Sequence, residues 1–252
     1  MKRKLVAVLA CRHSGSRLFG KPFQNLDIKS NTKVIDNLIG CLKKFKFVSN
    51  IVLAVSKGNF NKSFISYAIL KNIKSVIGNE KDVLSRLVKA GVESKASDIL
   101  RVSSESPFLF HEILEAAWTE HKIKNNDFTT ADNVIDGVGF EIIKLDALKY
   151  SHKFGRTRHK SEFCSLFIRE NPDKFKCQKL SIDKKFDRRD IRLTIDYPED
   201  LILCREIYKK FKKKAPLINI KDIISYLDKN KKLILLTKKY TKMGYQTLNK
   251  WN

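Results

Sequence analysis

A chain of 252 residues, 42% of them hydrophobic, can bury one sizeable core, and we expect a single domain over residues 1–252. The net charge of +24 permits nucleic acid, an anionic membrane surface or an anionic small molecule as a partner. The apolar runs, such as LVAVLA at 5–10, are far shorter than the roughly 18 residues that a membrane-spanning helix requires, which excludes a membrane span.

The positive charge is not concentrated in one segment, because lysines are spread along the whole chain. A general bias toward lysine explains this distribution as well as a functional basic surface does. The sequence has no recognisable nucleic-acid motif in which basic and aromatic residues are interleaved. We therefore expect no nucleic-acid partner.

The cysteine pattern predicts reduced thiols. The five cysteines form no CxxC pair, and an odd number does not suit a fully paired disulfide framework. The five histidines lack HxxxH or HExxH spacing, which gives a zinc site little support. The first apolar stretch ends in charge at Arg12, too early for a secretory signal. These features predict a cytoplasmic protein.

Strands and helices alternate through the first half of the chain. The short apolar run at 4–10 predicts a buried parallel strand, and 33–45 has the i, i+3, i+4, i+7 spacing of an amphipathic helix. Further strands are predicted at 50–56, 74–78 and 98–104, and further helices at 64–72, 82–94 and 110–122. Such alternation predicts an α/β fold with a doubly wound, mostly parallel sheet.

The regular alternation stops near residue 125. Strands and turns are predicted over 127–148, and a protruding β/loop arm or insertion over about 130–190. Regular secondary structure is predicted again near residue 192, where a strand ends at Asp196 and a helix begins after the Tyr-Pro turn. The first turn of this helix is acidic, which suits the helix dipole. A basic C-terminal helical extension, one helix followed by a basic tail, is predicted over about 216–252.

The loop after the first strand, CRHSGSRLFGKP at 11–22, is the strongest candidate site. Open α/β sheets bind ligands beyond the carboxyl ends of their strands, which is where this loop lies. Three small residues let backbone N–H groups approach an anion, and three cations can neutralise phosphate oxygens. These six residues are Ser14, Gly15 and Ser16, and Arg12, Arg17 and Lys21. The loop matches neither Walker A nor GxGxxG, and an ordinary solvated loop is the alternative.

The same loop resembles the RxxxxRLxGK motif of the sugar cytidylyltransferases, which include the acylneuraminate and 3-deoxy-manno-octulosonate enzymes and the spore coat polysaccharide SpsF-like group. Four later segments are similar to the family motifs DVLxR, TGDxP, DGxxxE and RxTVDxPEDL. They are EKDVLSR at 80–86, ILRVSSESP at 99–107, DGVGFEII at 136–143 and RLTIDYPEDL at 192–201. The motifs keep the family order over roughly residues 4–210, and the resemblance is closest to the SpsF-like group.

The resemblance implies a Rossmann-like fold of the nucleotide-diphospho-sugar transferase type and a homodimer. It also implies a Mg²⁺-dependent reaction in which a sugar acid attacks the α-phosphate of CTP and pyrophosphate leaves, for surface glycan synthesis. Cations at the phosphates and a metal are the tools that such a displacement requires.

Site residues follow from the matched motifs. Arg12 and Lys21 are expected to be catalytic, with the small residues of the loop and Arg17 at the nucleotide. The remaining expectations are Arg86 and Arg101 at the nucleotide, Glu105 and Asp196 at the metal, and Asp136 and Glu141 at the substrate. Alternatives stay open: Arg86 as an exposed helix cation, Asp196 as a turn residue, and Asp136 and Glu141 as strand-edge residues.

Several positions depart from the family pattern. Ser104 and Glu105 replace the glycine and aspartate of TGDxP. Because serine lacks the freedom of glycine at positive φ, we expect a strained loop at Ser104, and the longer Glu105 side chain shifts the metal. Phe110, Gly139 and Phe163 also differ from the family residues. A catalytically inactive relative that binds a nucleotide or a partner is therefore the alternative function.

Overall fold

A seven-stranded sheet forms the centre of the computed structural model, which describes residues 3–13, 15 and 17–249, the last eight by backbone alone. The sheet strands are β1 (Leu5–Cys11), β4 (Val48–Ser56), β5 (Lys74–Gly78), β6 (Asp98–Arg101), β7 (Phe128–Thr130), β8 (Glu141–Lys144) and β9 (Cys177–Lys179). Two short strands, β2 (Asn25–Asp27) and β3 (Thr32–Lys33), form a separate antiparallel pair.

The strand order in the sheet is β5-β4-β1-β6-β8-β7-β9. Strands β5, β4, β1 and β6 are parallel to one another, whereas β8 is antiparallel to both of its neighbours and β9 is parallel to β7. Val8 in β1 lies opposite Val52 of β4 and Arg101 of β6. The predicted mostly parallel sheet is confirmed, and it brings the carboxyl ends of four adjacent strands to one edge.

Helices cover both faces of the sheet, and their bounds are α1 (Val34–Leu42), α2 (Lys62–Leu70), α3 (Val83–Glu93), α4 (Leu114–Ile123), α5 (Leu145–Phe154), α6 (Leu166–Arg169), α7 (Pro198–Phe211), α8 (Ile220–Lys229) and α9 (Lys231–Asn249). Side chains of β1 alternate between two apolar cores. Leu9 packs with residues of α1, α2 and α4, and Val8 packs with residues of α3 and α5. This alternation is the two-sided burial expected of a doubly wound sheet.

Part of the segment 130–190, for which an arm is predicted, is built into the sheet. Strands β8 and β9 lie in it, and its apolar side chains Phe140 and Ile168 are buried. The intervening helices α5 and α6 contribute Leu148 and Phe167 to the core. An arm that contacts a second copy of the chain stays a prediction, as do the domain limits 1–252.

The C-terminal part of the chain forms two helices, α8 and α9, where the sequence predicts one helix and a basic tail. Ile223 of α8 packs with Ile195 and with Leu203 of α7 in a third apolar cluster. The partly buried Leu233 and Ile234 of α9 pack against this cluster. Among the described residues, no helix is both long enough and apolar enough to cross a membrane.

A buried cluster of charged side chains lies at the amino end of β6. Asp98 is fully buried and accepts a hydrogen bond from Arg3 Nε at 2.9 Å, and His121 Nε2 lies 3.2 Å from its other oxygen. Burial raises the pKa of Asp98, but the contacts with His121 and Arg3 outweigh it and leave the pKa below its ordinary value. The carboxylate thus joins the N-terminal segment, β6 and α4.

We predict that Asp98→Asn lowers the free energy of unfolding by about 2 kcal/mol, because it removes the negative charge and one of the two acceptor oxygens that face Arg3 and His121 in a buried site. Urea unfolding measures the change. Glu93→Gln is the control, since Glu93 pairs with Lys89 at an exposed site and surface pairs contribute little. Equal losses in the two variants would contradict this account of the cluster.

Candidate functional site

A cleft of about 680 Å³ opens beyond the carboxyl ends of β1, β4 and β5. Its lining residues come from the loops that follow these three strands, and they are Arg12, Gly15, Phe19, Lys57, Gly58, Phe60, Asn61 and Glu80. The position agrees with the rule that open α/β sheets bind ligands at this edge. Two cations and two phenylalanines in the lining suit a ligand that is both anionic and aromatic.

The loop after β1 is a tight turn that needs two of its glycines. Gly20 has a φ of 61° and its N–H donates to the carbonyl of His13 at 3.2 Å, which closes the loop. A Cβ on Gly15 would lie 2.8 Å from the carbonyl oxygen of Leu18, so a larger residue would open the turn. Ser14 and Ser16, predicted to bind the nucleotide, lie outside the described residues.

Lys21 connects the two predicted metal ligands. Its Nζ donates to Glu105 Oε2 at 3.0 Å and to Asp196 Oδ1 at 2.7 Å, and the residue is only 8% exposed. Burial alone would lower the pKa of the Lys21 ammonium, but the two carboxylates raise it above its ordinary value. Three motifs far apart in the sequence therefore meet at one charged centre.

The two carboxylates of this centre titrate differently. Burial raises the pKa of Glu105 above its ordinary value, and the attraction of Lys21 only partly compensates. Burial also raises the pKa of Asp196, but Lys21, together with the guanidinium groups of Arg192 and Arg17, lowers it further than burial raises it. Glu105 is therefore the first of the two to take up a proton as the pH falls.

Arg192 holds Asp196 in place. It is 3% exposed, and its Nη1 donates to Asp136 Oδ2 at 2.7 Å, its Nη2 to Asp196 and its Nε to Asp200 Oδ1 at 3.2 Å. Asp200 also accepts the backbone N–H groups of Asp196 and Tyr197, each at 2.9 Å. Arg192 and Asp200 were not predicted as site residues, although both lie in the RLTIDYPEDL segment that is similar to a family motif.

Arg17 lies at the exposed edge of this centre. Its Nη2 is 3.3 Å from Asp196 Oδ1, its Nη1 is 3.4 Å from the Tyr197 hydroxyl, and its guanidinium carbon is 5.0 Å from the centre of the Tyr197 ring. These long contacts leave guanidinium donors accessible to a ligand. Tyr197 was not predicted as a site residue.

Arg86 is 1% exposed, so the alternative of an exposed helix cation is wrong. Its Nη1 lies 3.3 Å from the carbonyl oxygen of Cys11 and 3.4 Å from that of Ala54, and its Nε has no hydrogen-bond partner. Burial lowers the pKa of the guanidinium. Arg86 therefore lies under the ends of β1 and β4, where its charge acts on the cleft above.

Arg101 and Glu141 form an ion pair across β6 and β8. The two residues are opposite each other, with Arg101 Nη1 2.9 Å from Glu141 Oε2. The second oxygen of Glu141 accepts from Ser165 at 2.5 Å and from Arg169 at 2.9 Å. Burial raises the pKa of Glu141, but the two arginines outweigh it and lower the pKa to about 2. Both carboxylate oxygens of Glu141 thus have partners, and its substrate-binding role stays a prediction.

Arg12 and Arg101 share a neighbour on the loop before α6. Arg12 Nη2 is 3.7 Å from the carboxylate of Glu162, and Arg101 Nη2 donates to the Glu162 carbonyl at 2.8 Å. The side chain of Arg12 is 48% exposed, so it is available to a ligand in the cleft. Arg12 and Arg101 thus lie together at Glu162, apart from the centre around Lys21 and from Arg86 under the strand ends.

The expected strain at Ser104 is wrong. Ser104 does not have a positive φ, and its hydroxyl donates to the carbonyl of Ala10 at 2.8 Å. The serine therefore attaches its loop to β1. Phe110, another departure from the family, is 2% exposed and contacts the Phe186 ring with 4.7 Å between centroids. It acts as a core residue.

The carboxylate pair fits a magnesium ion chemically. Glu105 Oε2 and Asp196 Oδ1 both lie within 3.0 Å of one atom, Lys21 Nζ, so both can face one cation. Mg²⁺ is commonly held by one or two protein carboxylates together with substrate phosphates. Among the described residues, no cluster of three or more histidine, cysteine, aspartate or glutamate side chains has a metal-binding arrangement.

Comparisons with known proteins match most of the chain. The cytidylyltransferase family model matches residues 6–239. The chain is 25% identical over 231 residues to the spore coat polysaccharide biosynthesis protein SpsF of Bacillus subtilis, covering 90% of this chain and 95% of that protein.

Solved structures share the fold. A cytidylyltransferase from Leptospira borgpetersenii has a TM-score of 0.83 at 21% identity, covering 92% of this chain and 97% of that one. A CMP:2-keto-3-deoxy-manno-octonic acid synthetase complexed with CTP has a TM-score of 0.61 at 12% identity, covering 82% and 99%. Because the family model spans most of the chain, this protein belongs to the cytidylyltransferase family.

Proposed function

We propose that this protein uses CTP to transfer CMP to an acidic sugar, with release of pyrophosphate, in the synthesis of a surface glycan. The observation that carries the proposal is the Lys21 ammonium between Glu105 and Asp196, at the carboxyl edge of the sheet. Cations beside a pair of acidic oxygen ligands are what the transfer of a nucleotidyl group requires.

The proposed roles follow from charge and exposure. In an in-line displacement at phosphorus, negative charge is spread over the phosphate oxygens, and fixed cations stabilise it. Lys21 is held rigidly by its two partners, whereas Arg12 and Arg17 have exposed side chains that can contact a triphosphate. The buried charge of Arg86 adds a favourable potential beneath them.

Glu105 and Asp196 are the residues that would hold Mg²⁺. When bound there, the ion would supply neutralisation of phosphate oxygen charge. Arg192 and Asp200 fix the orientation of Asp196, so one of the two ligands is preorganised.

The proposed class of acceptor is inferred from what the relatives are named for. One is named as a spore coat polysaccharide biosynthesis protein, and a structural neighbour is titled as a synthetase of a CMP-linked sugar acid. An acidic acceptor also suits a protein with a net charge of +24. A cytoplasmic location and a homodimer stay predictions.

A catalytically inactive relative is the weaker candidate. That alternative rests on the departures at Ser104, Glu105 and Phe110, and Phe110 is a buried core residue. Ser104 is accommodated by a hydrogen bond, and Glu105 reaches the same ammonium as Asp196. The contacts therefore favour an active site adapted to these residues.

Lys21→Ala tests the proposal in an assay of pyrophosphate release from CTP with a panel of sugar acids. We predict a loss of activity of about a hundredfold or more, because a fixed cation that stabilises the transition state is removed. The control is Lys149→Ala, which removes an exposed lysine of α5. If the wild-type protein is active, an equal activity of the Lys21 variant would contradict the proposed catalytic role of Lys21.

The raised pKa of Glu105 predicts a pH dependence of Mg²⁺-assisted CTP binding. Only the ionised carboxylate binds the metal, so affinity falls as the pH decreases through the Glu105 pKa, which lies above the ordinary value. Asp196 stays ionised over that range because its pKa is lowered. Titration calorimetry from neutral to acidic pH, with and without Mg²⁺, measures the effect.

Glu105→Gln is the matched variant for this pH experiment. We expect it to have weak Mg²⁺-assisted binding that varies little with pH, because the titrating group is absent. The same pH profile in the variant and the wild type would assign the titration to another group.

A further inference from the structure

The C-terminal helix α9 reaches the charged centre through an aromatic stack. The ring of Tyr240 lies parallel to that of Tyr197, with 3.6 Å between centroids and 8° between planes. Tyr197 directly follows Asp196, which contacts Lys21. An element outside the sheet therefore contacts the residue next to a predicted metal ligand.

Contacts with α7 fix the position of Tyr240. Its hydroxyl donates to Glu199 Oε1 at 3.0 Å, and the ammonium of Lys239 lies 3.0 Å from the same oxygen. One turn earlier on α9, Thr237 is fully buried. Because Glu199 lies in the first turn of α7, these contacts hold α9 at the point where α7 begins.

Tyr197 also contacts Arg17. The guanidinium of Arg17 lies 5.0 Å from the Tyr197 ring centre and 3.4 Å from its hydroxyl. The Arg17 side chain is 44% exposed, and its only other described polar contact is with Asp196 at 3.3 Å. A long side chain with such contacts loses substantial rotamer freedom when it binds a phosphate.

We propose that Tyr240 is a positioning residue for the triphosphate: it fixes the Tyr197 ring and, through that ring, the guanidinium of Arg17. This inference rests on the proposed function, since it assumes that Arg17 contacts the nucleotide. It makes α9 a part of the nucleotide site, and it gives the extension after the sheet a role in binding.

The expected effect is a weaker affinity for CTP. The loss of one aromatic stack changes an equilibrium by about twofold to tenfold. Tyr240→Ala should raise the dissociation constant of Mg²⁺–CTP by this factor. Tyr240→Phe keeps the stack and loses only the hydrogen bond to Glu199, so it should restore most of the affinity.

The experiment measures CTP dissociation constants by titration calorimetry in the presence of Mg²⁺, and thermal unfolding in the absence of nucleotide. The variants are Tyr240→Ala, Tyr240→Phe, Arg17→Ala and the double variant Arg17→Ala/Tyr240→Ala. Leu235→Ala is the control, because Leu235 is a 59% exposed residue of the same helix. Its CTP affinity should equal that of the wild type.

The double variant distinguishes a role of Tyr240 in positioning Arg17 from a general contribution of Tyr240 to the stability of the fold. If Tyr240 acts through Arg17, Tyr240→Ala has little further effect on CTP affinity once Arg17 is absent. The same loss with and without Arg17, or wild-type affinity in Tyr240→Ala, would overturn the inference while leaving the proposed function intact. A wild-type protein that binds no CTP would overturn both.

Discussion

The bonds from the Lys21 ammonium to Glu105 and Asp196 are the interaction on which the site depends. They join the loop after β1, the segment after β6 and the residue before α7, which are distant in the sequence. The parallel strands bring these segments to one edge, and the charges then fix how they meet. In a site that is mostly buried, each charge is stable only because the others are present, so a change at one of them alters the pKa of the rest.

Arg192 stabilises this centre through its ion pair with Asp196. Its guanidinium has aspartate partners on three sides, at Asp136, Asp196 and Asp200, in an almost fully buried position. Burial of a cation is unfavourable unless its donors are satisfied, so the three carboxylates and the arginine form one unit. The unit fixes Asp196, the proposed metal ligand, and the next residue, Tyr197, stacks on Tyr240 and contacts Arg17. The surroundings of Asp196 therefore couple the charged centre to α9.

The sheet was predictable because short strands, among them the apolar runs of β1 and β4, alternate with helical patterns along the chain. The motifs also identified Lys21, Glu105 and Asp196, which the fold brings together. Contacts across the fold were not predictable, since no local pattern pairs Tyr240 with Tyr197 or buries Arg86 under two strand ends. The strain expected at Ser104 was wrong for the same reason: its hydrogen-bond acceptor, the Ala10 carbonyl, lies on another strand.

The most direct test of the central claim is a thermal-unfolding comparison of the protein with CTP, UTP, ATP and GTP, each with and without Mg²⁺. A ligand at a hundred times its dissociation constant stabilises the folded state by about 2.7 kcal/mol. The account predicts stabilisation by CTP above the other nucleotides, increased by Mg²⁺. Equal or absent stabilisation by all four nucleotides would contradict it.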